Sequence, residues 1–463
     1  MLSLTLLYHV VFSGFAAASS SLPPTCWWNL EQEPVQSASV DQTSGKPADA
    51  AKVDATKVDT TKIEVAKPEI PNPDEPSASK AVADIGEASP LPTLSPEEIT
   101  RKARIAKCLS IYYQRPVNAD ELRPWSIMHG LIAYGRDSQI VVGGQRVNAA
   151  EYLCANGVGN GMQLLYLQDG QLRTRIGPGV QGHPGQFLAI LAQSNVPVDQ
   201  PITVEGKSFT VRDLIEFEKK DCHSGTELTF KLIGLAHYLE PGEAWTNDRG
   251  EPWNMPRLIR EELTQPIHEG ACGGTHRLMS FSFAVMQVEK YGHTPAGEWL
   301  RAARLLDGYS QRAWRQQNSD GSFSTEFFEG AGADPDKTRR LYTTGHVLEW
   351  LSFTLPREKL LEPRATKAVD YLLDLMLGAP GFELDVGPRG HAIHALAMYE
   401  LNVFGISSDF MNLQLAADDP ALIELERVMT KAEIAAAKAT TVKQRPNNNA
   451  NQISPRQGRF RRR

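Results

Sequence analysis

The sequence contains no Phe, Trp or Tyr between residues 31 and 94, and no Asp, Glu, Lys or Arg between residues 2 and 18. Over all 463 residues the formal net charge is -7 and the mean hydropathy is -0.33. This charge excludes a generally basic nucleic-acid-binding protein, so no nucleic-acid partner is expected. The low mean hydropathy excludes a polytopic membrane protein. The length allows about three domains at roughly 150 residues each, but the uneven composition leaves one candidate folded domain, residues 95–410.

The uncharged N-terminal segment is apolar and ends in three alanines, Ala16 to Ala18. An apolar stretch followed by small residues is typical of a secretory signal peptide. The positively charged start of such a peptide is missing, so an N-terminal anchor stays open, although the run is short for a bilayer span of about 20 residues. Residues 1–20 are therefore predicted to be a signal peptide that exports the protein to the periplasm, the cell envelope or the medium. The alternative is an N-terminal anchor that associates the protein with the membrane or envelope.

Two further segments have compositions that are unfavourable for a packed core. Residues 21–94 are rich in Pro, Ala, Ser, Asp and Glu and contain Lys-Val-Asp-x-Thr pentads, which predicts a disordered linker. Residues 441–463 carry seven Lys and Arg and no Asp or Glu, which predicts a disordered basic tail. A short helical extension is predicted at 411–440, between the core and the tail.

Within residues 95–410, helical patterns of two kinds alternate strictly. Amphipathic patterns, with an apolar stripe and a charged face, lie at 95–112, 148–156, 210–221, 255–265, 297–318 and 362–377. Patterns that are apolar nearly all round lie at Trp125–Tyr134, Pro184–Leu191, Glu227–Leu239, Thr275–Val288, Gly345–Leu355 and Gly390–Phe404. A helix without a polar face must be buried on several sides. The alternation predicts an all-α fold, an (α/α)6 toroid, with a right-handed solenoid of helix pairs as the alternative.

Two small β-hairpins are predicted as insertions between these helices. Leu164–Leu167 and Leu172–Ile176 flank an Asp-Gly turn, and Ile202–Val204 and Ser208–Val211 flank a turn around Gly206.

Glycine and histidine recur together where the buried-type helices are expected to begin. The histidines of these segments are His183, His223, His276, His346 and His391. In a toroid the inner helices run the same way, so their first residues meet at one mouth, where free N–H groups and helix dipoles favour a polar or anionic ligand. Imidazoles titrate near neutral pH. The sequence therefore predicts a His-rich functional mouth.

Trp314, Gln317, Gly321 and Phe323 form a turn motif after one of the amphipathic helices. The motif, together with the helix pattern, resembles the terpenoid cyclase and protein prenyltransferase superfamily, whose toroid repeats carry a Gln…Gly-x-Trp/Phe turn. The resemblance implies the α/α toroid fold. The chain departs from the family in lacking the Asp-x-Asp-Asp acid of the class II cyclases and the zinc-ligand spacing of the prenyltransferases, so cyclase chemistry is not expected.

Cysteine and histidine lie close together in two of the same segments. Cys222, Cys272 and His276 are candidate zinc ligands. The Cys222-His223 step is similar to the Cys-His-Gly step of the lanthionine cyclases, which are zinc toroids, although Ser224 replaces the glycine and the order of the cysteine elements is reversed. In an exported protein a Cys222–Cys272 disulfide is equally consistent with the sequence, with Cys108–Cys154 as a second bridge.

The polar residues near the mouth predict action on an extracellular glycan, by hydrolysis or by lyase chemistry. The candidate catalytic residues are His276, His346, Glu227 and Glu349, and the candidate ligand-binding residues are His183, His223, Arg277, Arg389, His391 and Trp350. Tyr238, Tyr399 and Trp125 are further candidate aromatic platforms. Two alternatives remain: a zinc-binding toroid that acts on a peptide or a lipid, and a non-catalytic module that binds a glycan or a peptide.

Overall fold

The computed structural model describes residues 94–378 and 385–405. The predicted signal peptide or anchor, the linker with its pentads, the extension at 411–440 and the tail at 441–463 lie outside the described residues. Among the described helices, none combines the length and the hydropathy needed to cross a bilayer.

The described part of the chain is mostly helical, as predicted. Its helices are α1 (Pro96–Tyr113), α2 (Pro124–Tyr134), α3 (Ala149–Cys154), α4 (Gln186–Gln193), α5 (Val211–Lys220), α6 (Thr229–Tyr238), α7 (Met255–Leu263), α8 (Thr275–Lys290), α9 (Gly297–Arg315), α10 (Lys337–Thr354), α11 (Arg357–Leu360), α12 (Pro363–Gly378) and α13 (Val386–Phe404). All twelve predicted helices are present, and α11 is a short additional turn.

Local sequence signals explain several helix starts. At the start of α1, the Ser95 hydroxyl accepts a hydrogen bond from the Glu98 amide at 3.2 Å, and the Ser95 amide donates to the Glu98 carboxylate at 2.7 Å. This is a capping box, which satisfies two N–H groups that would otherwise lack partners. The Asn254 side chain caps α7 in a similar way, by accepting from the Arg257 amide at 2.9 Å.

Two helices begin earlier than the sequence predicted, and this changes where their histidines lie. α10 begins at Lys337, where Asp336 caps the helix by accepting from the Thr338 amide at 2.9 Å. α13 begins at Val386. His346 and His391 therefore lie inside helices and not at helix starts. The first turns of both helices are charged or glycine-rich, so no apolar run marks them in the sequence.

The buried-type helices contact one another in a closed order. α2 contacts α4, α4 contacts α6, α6 contacts α8, α8 contacts α10, α10 contacts α13, and α13 contacts α2 again. Each charged helix packs against one or two of these: α3 against α2, α5 against α4 and α6, α7 against α6 and α8, α9 against α8, α12 against α10, and α1 against α13. One continuous hydrophobic core of the described residues includes side chains from both sets.

The described strands form four small sheets, two more than predicted. The predicted hairpins are β4 (Leu165–Gln168) with β5 (Gln171–Thr174), and β6 (Pro201–Val204) with β7 (Lys207–Thr210). The additional sheets are β1 (Val117–Asn118), β2 (Gln139–Val142) and β3 (Gln145–Asn148) in one, and β8 (Ala244–Thr246) with β9 (Pro252–Asn254) in the other. Gly143 and Gly144, both at positive φ, make the β2–β3 turn, a signal that the sequence contained.

Candidate functional site

Three of the predicted histidines come together where α8, α10 and α13 meet. The ring centroids of His276 and His346 are 5.5 Å apart, those of His276 and His391 are 5.4 Å apart, and those of His346 and His391 are 3.4 Å apart. His129 of α2 lies 5.9 Å from His391. All four side chains are buried. The structure thus joins residues that are far apart in the chain into one histidine cluster.

Cys272 joins this cluster and completes a set of possible metal ligands. One ligand atom from each of Cys272, His276 and His346 lies within 4.8 Å of the other two, and all three residues are buried. Nδ1 of His346 is 2.6 Å from the carbonyl oxygen of Tyr342. Because a carbonyl can only accept, Nδ1 carries the proton and Nε2 carries the lone pair that a metal requires. These three residues could hold a metal ion.

The backbone before α8 has an unusual conformation that places Cys272 beside His276. Cys272, Gly273 and Gly274 all have positive φ, at 54°, 61° and 89°. A Cβ at Gly274 would collide with the carbonyl oxygen of Ile267. Only glycine fits such a position, and positive φ at a non-glycine residue such as Cys272 is strained. The Gly-Gly step thus allows the chain to turn sharply enough for the thiol to face the first turn of α8.

Burial sets the charge state of these groups. It raises the pKa of the Cys272 thiol well above its usual range, while a hydrogen bond with Tyr342 acts in the opposite direction. Burial also lowers the pKa of His276 well below its usual value, and the neighbouring histidines add to this. The His276 imidazole is therefore neutral and ready to bind a metal, whereas the thiol would have to release a proton first.

A buried carboxyl group supports the cluster from α10. Glu349 Oε2 lies 2.8 Å from His391 Nδ1, and Glu349 Oε1 lies 3.2 Å from His394 Nδ1. Burial raises the pKa of Glu349 and lowers the pKa values of His391 and His394. Both shifts favour the neutral forms, a protonated Glu349 carboxyl and unprotonated His391 and His394 imidazoles. This part of the site therefore holds a proton without net charge. Carboxyl–histidine contacts of this kind orient imidazoles around metal sites.

A second carboxyl–histidine pair lies on a more accessible side of the cluster. His183 Nδ1 is 2.8 Å from Glu227 Oε2, and the two side chains are 13% and 28% exposed. The His183 ring stacks on Phe230 at 5.0 Å, and Phe230 lies 5.2 Å from His276. Two predicted site residues are thus paired near the histidine cluster but are separated from it by a phenylalanine.

The predicted metal ligand Cys222 is not part of the cluster. Its thiol donates to the Glu218 carbonyl oxygen at 3.3 Å, next to the buried Lys231. Cys108, Cys154, Cys222 and Cys272 are all buried and none is in a disulfide, so the structure contains neither predicted bridge. The possible metal-ligand cluster therefore contains two of the three predicted ligands, Cys272 and His276, together with His346, which was predicted as catalytic. Sequence spacing identified the glycine–histidine segments but not which of their side chains face each other.

The remaining predicted ligand-binding residues lie outside the cluster. Arg277 is buried and donates to Glu262 at 2.9 Å, so it joins α8 to α7. Trp350 is fully buried and donates its indole N–H to the Ser282 hydroxyl at 3.3 Å, which leaves no ring face for a sugar. His223 pairs with Asp248 at 2.7 Å. Arg389 is half-buried and lines a cavity of about 30 Å³, which is too small for a sugar.

Sequence reasoning missed Tyr342 and His394. Tyr342 precedes His346 by one helical turn, and His394 follows His391 by three residues. Helical residues three or four apart share a face, so helix periodicity could have found both.

Comparison with protein-family models, curated proteins and solved structures gives no match.

Proposed function

We propose that the chain is an exported (α/α)6 toroid with a zinc centre formed by Cys272, His276 and His346, and that it acts on its substrate at this centre. The toroid is supported by the closed order of contacts among α2, α4, α6, α8, α10 and α13, with the charged helices packed against them. Export is supported by the apolar N-terminal segment that ends in alanines.

The ligand set supports zinc over harder metals. Thiolate and imidazole ligands together suit zinc, whereas magnesium and calcium prefer oxygen. Catalytic zinc sites commonly have three protein ligands and keep a fourth position for water or substrate, whereas structural sites use four. The cluster of three ligand atoms within 4.8 Å of one another carries this proposal.

Residues of the chain would bind the ion, orient its ligands and hold a proton beside it. Bound zinc supplies a Lewis acid that makes water more acidic and polarises a carbonyl. Cys272 would hold the ion as a thiolate, and the Tyr342 carbonyl fixes the His346 tautomer. His391, whose ring lies tilted against that of His346 with centroids 3.4 Å apart, and Glu349, which contacts His391, hold a proton beside the ligands. Burial of the whole cluster excludes bulk water.

A matched pair of cysteine variants tests the metal centre. We expect purified protein to contain about one equivalent of zinc, and Cys272→Ser to lose it because serine is a poor zinc ligand. Cys222→Ser is the control, since Cys222 is equally buried but lies outside the cluster. Metal content is measured by elemental analysis beside a free-thiol count. Equal zinc in both variants, or metal-free wild-type protein, would refute the proposed centre.

A glycan remains the proposed substrate class, with a lipid or peptide as the alternative. One observation favours a glycan: an open groove of about 690 Å³ lies between the β4–β5 hairpin and α5. Phe217, Gln168, Gln171 and Asp248 line it, and the Arg173 guanidinium lies 4.7 Å from the Phe217 ring. A groove lined by aromatic and polar side chains suits a sugar. Asp248 also links this groove to His223.

A polysaccharide panel separates an enzyme from a binding module. If the protein is an enzyme, product forms with wild-type protein and is lost with His276→Ala, while the circular dichroism spectrum stays unchanged. If the protein only binds, a glycan array shows retention that Phe217→Ala weakens, with no turnover. If no glycan yields product and none is retained, the glycan class is contradicted. Peptides and lipids would then be tested.

A further inference from the structure

The loop between α9 and α10 places one phenylalanine against the proposed metal centre. The Phe327 ring lies 6.3 Å from the His346 ring and 5.3 Å from the Tyr342 ring, both edge to face. A Cβ at Gly273 would collide with this ring, so the Cys272-Gly273 backbone also packs against it. Phe327 has a φ of 51°, which a bulky side chain seldom adopts. Strained residues of this kind are common at functional sites.

The turn motif that resembles the cyclase family holds this loop in place. Gln317 donates to the carbonyl oxygens of Gly321 and Arg364, at 2.9 Å each. Asn318 donates to the Gly332 carbonyl oxygen at 3.0 Å, which ties the two ends of the loop together. The position of Phe327 is therefore fixed by side chains that do not themselves reach the cluster.

Exposure rises in one direction away from the cluster. His346 is 1% exposed, Cys272 4%, Phe327 7% and Tyr342 9%. Beyond them lies the half-buried Arg339, whose guanidinium is 5.4 Å from the Phe327 ring and 5.6 Å from the Tyr342 ring. On the His183 side, the fully buried Phe230 lies between His183 and His276. On the other side, Phe327 lies between the half-buried Arg339 and His346.

Arg339 has a positive charge that the described residues do not neutralise. Its neighbour Arg340 pairs with Asp320, but among residues 94–378 and 385–405 Arg339 forms no ion pair. Its described contacts are the two ring faces. A planar guanidinium held on aromatic rings is well placed to bind a carboxylate or a phosphate with two hydrogen bonds.

We propose that Phe327 is the gate of the metal centre and that Arg339, on its outer side, binds the anionic group of the substrate. The substrate is then an anion, with a carboxylate or phosphate at Arg339 and its reacting group beyond Phe327. This inference deepens the proposed function and rests on it. A cation at the entrance attracts such substrates and holds them in one orientation.

The gate is tested by the accessibility of Cys272 in chelator-treated, metal-free protein. The rate of labelling with a disulfide thiol reagent is followed by peptide mass spectrometry. Phe327→Leu should label Cys272 about tenfold faster, since local opening controls access and the ring no longer seals it. Phe328→Leu is the control, because Phe328 is the same residue type in the same loop but packs on Trp350 and Tyr309. Equal rates in both variants would overturn the gate.

The anion site is tested by the thermal shift of the full chain with inorganic phosphate and, separately, with glucuronate. The favoured anion raises Tm in wild-type protein, and Arg339→Gln weakens its apparent affinity about tenfold through loss of a charge-assisted bond. Lys337→Gln removes a neighbouring charge and should change little. A shift that survives in Arg339→Gln, an equal loss in Lys337→Gln, or no shift with either anion would overturn the site. Neither test needs bound metal, so failure of the zinc centre is recognised separately.

Discussion

His237 lies in the last turn of α6, beside Tyr238 and Phe283. Burial, with a smaller effect from the charge of Lys290, lowers its pKa from 6.5 to about 4. Between these two values the unfolded chain binds a proton at this residue and the folded chain does not. The contribution of neutral His237 to stability is therefore present above pH 6.5 and is lost as the pH falls towards 4.

Replacement of His237 by Gln should make the protein less sensitive to acid. We expect the loss of stability between pH 7 and pH 5 to shrink by roughly 1–2 kcal/mol, because one protonation difference is removed. Urea unfolding at both pH values measures it. His268→Gln is the control, since that side chain is 57% exposed. The same pH dependence in His237→Gln and wild-type protein would contradict the prediction.

Gly274 is a residue where backbone conformation and space are both restrictive. Its φ is 89°, and an added Cβ would meet the Ile267 carbonyl oxygen. Gly292 has a similar φ of 78°, but an added Cβ would have nothing within 4 Å. Gly292→Ala should therefore lower the free energy of unfolding by roughly 1–2 kcal/mol, the cost of holding alanine in the left-handed conformation. Gly274→Ala should cost clearly more, and zinc content should fall with it because Cys272 is displaced. Similar unfolding free energies for the two variants would show that the turn tolerates a side chain.

At the scale of helices, one buried carboxylate joins three elements. Glu262 of α7 accepts from the Leu228 amide at 2.8 Å, the Thr229 hydroxyl at 2.7 Å and Arg277 Nε at 2.9 Å. Leu228 and Thr229 begin α6, and Arg277 lies in the first turn of α8. Glu262 thus joins the first turns of α6 and α8 to α7, and Arg277, which the sequence analysis assigned to ligand binding, is the partner of Glu262 in α8.

Loss of Glu262 should therefore be far more costly than loss of its neighbour. Glu262→Ala leaves Arg277 buried without its carboxylate, which should cost about 3–5 kcal/mol. Glu261→Ala removes a partly exposed side chain that contacts Ser224 and Arg257, and should cost below about 1 kcal/mol. Chemical unfolding of both variants gives the comparison. A small effect of Glu262→Ala would mean that water replaces the carboxylate.

Helices proved predictable because their signals are local. The cap at Ser95 and the apolar stripe of α5 are both readable in the sequence and present in the structure. The site was only partly predictable for the opposite reason. His276 and His346 were identified from glycine–histidine steps, but the choice between Cys222 and Cys272 depends on how each helix start is turned in three dimensions. Burial of Trp350 likewise depends on its neighbours in α8.

At the scale of the described helical unit, α13 packs against α2, although the two helices are far apart in the sequence. Gly390 lies so close to α2 that an added Cβ would approach the His129 carbonyl oxygen to 2.8 Å. Gly387 is similarly close to Trp125, at 3.0 Å. These contacts join the last buried helix to the first, across more than 250 residues of sequence. They also place His391 near His129, so closure of the helix order and assembly of the histidine cluster depend on the same packing.

Removal of α13 distinguishes a closed toroid from an open solenoid. In a solenoid, a terminal helix contacts only its neighbour, so a chain that ends at Asp385 would lose one interface and still unfold cooperatively. In a closed ring the truncation exposes apolar faces of both α10 and α2, and it removes His391 from the cluster. We therefore expect the truncated chain to lose its cooperative urea transition and its zinc together. A control truncation after Gly405, which keeps α13, should retain both. A sigmoidal transition with bound zinc in the chain that ends at Asp385 would favour the solenoid, because the α13–α2 contact would then add little to stability.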